Sequence, residues 1–204
     1  MTIINAFEDS SLKSIIIPKS VIKIHRSAFY FCDKLKSISI EEGSKLESIE
    51  SDLFFYCSNL CILKIPENSS LQKICFDSLY STSLKELFIP SSVKLLEDEW
   101  FSDSSNLKKI TISPSSKHFK YLDEEHQIIV GKSDINEENV DTIIFANRDI
   151  EKVTIPNYIK YIKPNAFENC YKLDTIEFQD DSIISYIDKN TFYQASIKSF
   201  FIPS

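Results

Sequence analysis

The phrase IPKSVIKIHRSAFYFC at Ile17–Cys32 returns almost intact as IPNYIKYIKPNAFENC at Ile155–Cys170. The same spacing runs through most of the chain, and few folds accommodate it. One large apolar residue anchors each unit, at Phe7, Phe29, Phe54, Leu79, Phe101, Phe167 and Phe192, in steps of 22 or 25 residues apart from one wide gap. Shortly after each anchor comes an apolar triplet: Leu12-Ile15-Ile17, Leu35-Ile38-Ile40, Leu60-Leu63-Ile65, Leu84-Leu87-Ile89, Leu107-Ile110-Ile112, Leu173-Ile176-Phe178 and Ile197-Phe200-Ile202. A second aliphatic pair then leads into the next anchor: Val21/Ile24, Leu46/Ile49, Leu71/Ile74, Val93/Leu96, Ile159/Ile162 and Ile184/Ile187. Fixed periods of this length signal a repeat architecture.

The last step of each triplet joins residues i and i+2, which share a face only in a strand. β-Branched residues fill these segments, and proline follows directly at Pro18, Pro66, Pro90, Pro156 and Pro203, where its missing donor ends a ladder. Each unit therefore reads as a strand, a proline-marked turn, a second short extended piece, and a compact turn or helical fragment around the anchor. A unit this short cannot bury its apolar side alone, so units stack and their strands pair in parallel. The expected fold is a mainly-β repeat solenoid, with a parallel sheet on one face and short second strands and turn or helical fragments on the other.

Regular repeats are expected over 1–112 and 150–204 of a single solenoid spanning 1–204, with an irregular section at 113–149. There, Val140-Ile143-Phe145 and Ile150-Val153-Ile155 lie too close together for two full coils. FKYL and QIIV, separated by DEEH, read as a hairpin-like pair, followed by a shortened coil, with GKSDINEEN as a surface loop.

Only Gly43 and Gly131 occur in 204 residues, so no phosphate-binding loop, dinucleotide fingerprint or nucleophile elbow can be built. Turns must come from Ser, Asn, Asp and Pro. A net charge of −7 disfavours a nucleic-acid backbone as partner. The opening MTIINAFEDSSLK is not read as a signal peptide, and no apolar run reaches the ~20 residues of a membrane span, so no direct membrane insertion is expected.

Cys32, Cys57 and Cys170 share one position three residues after the anchor, where other units place Ser10, Thr82, Ser104 and Ala195. That pattern predicts buried structural thiols in a small interior slot, and no disulfide framework. Cys57 and Cys61 have near-zinc spacing but no second ligand pair follows. His25, His118 and His126 stand apart and read as surface residues; the acidic runs DEEH and NEEN lack the pattern of a calcium loop. No catalytic, cofactor-binding or metal-binding residue is assigned, and no enzyme is expected.

The pattern L-x-x-I-x-I-P, then V-x-x-I, then A-F-x-x-C resembles the BspA-like class of leucine-rich repeat proteins, expanded among surface proteins of anaerobic bacteria and protist parasites. The irregular middle is similar to the interruption Y-L-D…K-S…R-x-I-x-x-V-x-I-P found in that class. Leu79 departs from the pattern in place of an aromatic, as do Glu41 and Gln179 in place of proline and Trp100 in the slot of Ala28 and Ala166. The resemblance implies a non-catalytic protein-binding module of the surface-antigen type, acting in adhesion or recognition at a cell surface. The missing signal and reduced-looking cysteines suit the alternative, a cytoplasmic leucine-rich repeat scaffold.

The residues flanking the middle aliphatic of each triplet should project from the sheet in two columns. The expected binding face is Ile16, Ser39, Ile62, Lys64, Glu86, Phe88, Lys109, Thr111, Lys152, Thr154, Glu177 and Phe201, presented to a protein or cell-surface ligand. Trp100 is expected to pack over a repeat junction. Because the chain opens at INAF and stops at FIPS, end-to-end self-association or continuation in a longer array is also expected.

Overall fold

A computed structural model describes residues 2–4, 6–134 and 136–202; Pro203 lies outside them. Two compact units divide the chain, 1–117 and 118–204. Each is a mainly-β solenoid segment, and no helix occurs among the described residues.

The first unit holds β1 (Thr2–Ile4), β2 (Ser14–Ile17), β3 (Val21–Ile24), β4 (Ser37–Ile40), β5 (Ser48–Ile49), β6 (Ile62–Lys64), β7 (Lys73–Ile74), β8 (Glu86–Ile89), β9 (Leu95–Leu96) and β10 (Lys109–Ile112). Strands from the triplets pair in parallel as β2-β4-β6 and β8-β10. The second aliphatic pairs form their own parallel stacks, β1-β3 and β5-β7-β9. Alternation decides what is buried: Ile38 and Ile40 point inward from β4, Leu87 and Ile89 from β8. After β2, β6 and β8, the carbonyls of Pro18, Pro66 and Pro90 accept from the amides of Val21, Ser69 and Val93, closing a turn each time.

The segments around the anchors are turns rather than helical fragments. Positive φ recurs two residues before and two residues after the anchor: Ser27 and Phe31, Asp52 and Tyr56, Asp77 and Ser81, Glu99 and Asp103, Asn165 and Asn169, Asn190 and Gln194. Two left-handed residues four apart exclude a right-handed helix. Most of these residues are Asp, Asn or Ser, which tolerate that conformation, so the chain makes its turns with almost no glycine. Gly43 (φ 69) is the one positive-φ glycine among the described residues. Gly131 differs: a Cβ there would lie 2.6 Å from Ile144 Cδ1 and 3.0 Å from the Phe119 ring, so these side chains would have to shift to admit one.

The anchors stack from coil to coil, Phe7 on Phe29 at 5.3 Å and Phe29 near Phe54 at 5.6 Å. Trp100, in the slot of Ala28, is fully buried edge-on to Phe101. The two departures from proline also have a use. Glu41 Oε2 accepts from the Lys19 amide at 2.9 Å and Gln179 Oε1 from the Asn157 amide at 3.2 Å, each tying its turn to the coil before.

The second unit comprises β11 (Phe119–Tyr121), β12 (Ile128–Gly131), β13 (Thr142–Ala146), β14 (Lys152–Ile155), β15 (Tyr161–Ile162), β16 (Thr175–Phe178), β17 (Tyr186–Ile187) and β18 (Ser199–Phe201). FKYL and QIIV supply β11 and β12, which pair antiparallel. Strand β12 then pairs antiparallel with β13, and β13-β15-β17 continue in parallel; β14-β16-β18 form the other sheet. Here Val140-Ile143-Phe145 differs from its reading as a triplet. Ile143 is in register with Ile162, so Val140/Ile143 take the place of a second aliphatic pair, and β13 belongs with the short strands. The crowding of two triplets within ten residues of sequence thereby disappears. Gly131 is a buried strand residue, so the exposed loop begins after it; Ile135 within that loop lies outside the described residues. Asp141 holds the loop to β13, accepting from the Ser133 amide and hydroxyl, both at 2.7 Å.

The regular five-residue step from Ile143 points to Arg148, but backbone pairing puts Ala146 in the anchor's place. Its amide donates to the Ala166 carbonyl as the Phe167 amide donates to Thr191. The buried Arg148 guanidinium fills in beside it, donating to the carbonyls of Ala146 (3.2 Å) and Ala166 (3.1 Å) and lying 4.6 Å from the centre of the Phe145 ring.

The slot three residues after the anchor is a column of small residues, Ala195 aside all able to donate. Cys32 Sγ donates to the Phe7 carbonyl at 2.8 Å, Cys57 Sγ to Phe29 at 3.0 Å and Ser104 Oγ to Leu79 at 2.6 Å. Cys, Ser and Thr interchange here because each is small and can donate; apolar packing alone would not favour Ser104. Burial pushes the Cys57 thiol up to about 12 and Cys75 to about 11, and raises that of Cys170 as well, so none of these is a ready nucleophile. Cys61 is exposed, whereas Cys32, Cys57, Cys75 and Cys170 are buried and free. A thiol reagent added to the native protein is expected to modify Cys61 rapidly and the other four only on unfolding. Fast reaction of more than one thiol per chain would contradict the buried column.

Candidate protein-binding faces

The strand ladders fix the outward columns. In the first unit Ile16 pairs with Ser39 and Ser39 with Lys64, while Ser14, Ser37 and Ile62 form the neighbouring row. Glu86 pairs with Lys109 and Phe88 with Thr111. In the second, Lys152 aligns with Thr175 and Ser199, and Thr154 with Glu177 and Phe201. Ile16 and Ile62 are 64% and 44% exposed, a large apolar display for strand residues with no partner. Lys64, Glu86, Lys109, Thr111, Lys152, Thr154, Glu177 and Phe201 are also exposed; Ser39 and Phe88 are half-buried.

Strands β6 and β8 are neighbours, yet no hydrogen-bonded ladder joins them. The chain bends at Lys85 just before β8. Over this seam lies a groove of about 510 Å3, into which Ile62, Lys64, Glu86, Phe88 and Thr111 project together. It offers an apolar floor, one cation, one carboxylate and a hydroxyl.

In the second unit the column residues Lys152, Thr154 and Glu177 line a groove of about 370 Å3, together with Asp123, Glu125 and Gln127. The DEEH turn, in the sequence only the link between FKYL and QIIV, thus forms a wall beside the strand face. Asp123 shapes that turn by accepting from the amides of Gln127 (2.8 Å) and Ile128 (2.9 Å). Spacing alone gives no sign of this wall, because it depends on β12 turning back antiparallel and then joining β13. The signal available was Asp123 itself, five residues before the first residue of β12, in a position to cap the turn.

Among the described residues no group of three or more His, Cys, Asp or Glu side chains is placed to hold a metal ion, and no helix is long and apolar enough to cross a membrane.

Six copies of the BspA type leucine rich repeat region match residues 3–122 and 136–204. The chain belongs to this family. Solved structures of similar fold include the pneumococcal vaccine antigen PcpA, with a TM-score of 0.72 and 21% identity over 99% of this chain and 54% of that one. A leucine-rich repeat protein from Bacteroides ovatus gives 0.65 at 22% identity, covering 98% of this chain and 46% of the other. A leucine rich cell surface protein from Faecalibacterium prausnitzii gives 0.59 at 19% identity, covering 98% and 70%. At these identities the likeness is one of fold. No curated protein matches the chain by sequence. As a BspA-type repeat protein the chain presents rows of side chains on parallel strands.

Proposed function

We propose that this BspA-type repeat region is a non-catalytic protein-binding module that uses its strand face for adhesion or recognition at a cell surface. The groove over the β6/β8 seam carries the proposal, because it gathers Ile62, Lys64, Glu86, Phe88 and Thr111 where the sheet is least regular. Apolar anchors ringed by charged and hydroxyl side chains have the composition of a protein interface with a few dominant contacts. The cell-surface setting is supported by the surface protein and the vaccine antigen among the structural neighbours.

The test is retention of solubilised surface and matrix proteins on the immobilised chain. Phe88→Ala together with Lys64→Ala is expected to weaken retention by at least ~2 kcal/mol, the scale of an interface hot spot. Retention no better than on an unrelated solenoid, or unaffected by this pair, would remove the strand face from consideration.

A further inference from the structure

The turns of the first unit carry another surface. The two positions after Phe29, Phe54 and Leu79 hold Tyr30 and Phe31, Phe55 and Tyr56, then Tyr80 and Ser81. Their rings stack in two columns: Tyr30 on Phe55 at 5.0 Å and Phe55 on Tyr80 at 4.5 Å, beside Phe31 on Tyr56 at 5.1 Å. Phe31 and Tyr56 remain 45% and 38% exposed. Both are also in the left-handed region, at φ 57 and 56. In other coils that position is Asp9, Ser81, Asp103, Asn169 or Gln194. A bulky aromatic is strained there, and one left in water gains little burial in return. Stacking offsets part of the strain, but a polar residue would make the same turn without any. Folding alone therefore does not account for these two rings.

The surroundings of the patch are acidic. The Asp9 amide donates to the Tyr30 carbonyl at 2.8 Å, which places Asp9 at one edge. At the other edge Asp103 holds the same turn position as Asp9, next to Ser81, whose amide donates to the Ser102 carbonyl at 3.1 Å; its charge follows burial in raising the Tyr80 hydroxyl above its usual range. The basic side chains nearby are already committed, Arg26 to Asp52 at 2.6 Å and Lys34 to Asp33 at 2.8 Å. We propose that this aromatic patch docks a cationic, arginine-rich protein segment, held by cation–π contact with Phe31 and Tyr56 and by the carboxylates of Asp9 and Asp103. The surface is separate from the strand face, and the proposal stands whether or not that face binds.

Fluorescence anisotropy with a labelled arginine-rich peptide tests it on the full chain. Binding is expected at low salt, weakening as salt rises, with no binding of a glutamate-rich peptide of equal length. Phe31→Asn with Tyr56→Asn should weaken binding about tenfold while leaving Tm unchanged or higher, because Asn suits the left-handed turn. Asp9→Asn with Asp103→Asn should weaken binding and flatten its salt dependence, and this pair decides the matter alone if the first fails to fold. Lys64→Ala with Phe88→Ala should leave peptide binding as it was. Absence of binding at low salt, equal binding of the acidic peptide, or both turn-side pairs binding like wild type would overturn the proposal. Preference for a neutral oligosaccharide over the arginine-rich peptide would overturn it as well.

Discussion

Phe29→Ala is expected to destabilise the first unit by ~3–5 kcal/mol, the usual range for removing a buried phenylalanine and leaving a cavity. The ring is 0% exposed and lies between Phe7 and Phe54. In a repeat array each coil is stabilised through its neighbours, so a hole in one anchor loosens two interfaces at once. Urea unfolding followed by circular dichroism checks this. A loss under ~1 kcal/mol would mean that the anchors do not form the continuous core described above.

Arg148→Ala is expected to have a comparable effect in the second unit, ~3–5 kcal/mol, as when one member of a buried polar group is removed. Arg148 is 5% exposed, and burial followed by the nearby Cys170 and Glu168 determines the environment of its guanidinium. Its removal leaves the Ala146 and Ala166 carbonyls facing a void, with buried Glu168 beside them and no cation. Arg148→Met keeps most of the stem and none of the donors. Arg148→Lys keeps a charge without the planar fork that reaches two carbonyls, and should recover only part of the loss. The three variants, compared by thermal unfolding, are expected in the order lysine, methionine, alanine from least to most destabilised. Wild-type stability in the alanine variant would show that Arg148 does not replace the missing anchor.

The deviations from the repeat were legible in part. Leu79 and Trp100 are visible as exceptions in the sequence, and both turn out to be buried replacements that keep the stack filled. Glu41 and Gln179 are equally visible, but their role as acceptors for the preceding turn follows from where the neighbouring coil's amides point. Arg148 is visible as the first residue of R-x-I-x-x-V-x-I-P, but its burial is not, since a lone arginine after a strand ordinarily lies at the surface. Its burial follows from Ala146 occupying an anchor position, which pairing with the next coil reveals.

The strand rows and the shared thiol slot were fixed by the residues themselves, because i, i+2 alternation and a constant repeat length decide which side chains meet inside a coil and which point out. The tertiary structure alone decided that β13 joins the short strands, that the Asp123–Gln127 turn walls a groove, that the ladder is interrupted between β6 and β8, and that Phe31 and Tyr56 sit strained and exposed on the turns. Each of these depends on how one coil's backbone meets the next, and sequence spacing specifies the order of the coils without specifying the hydrogen bonds between them.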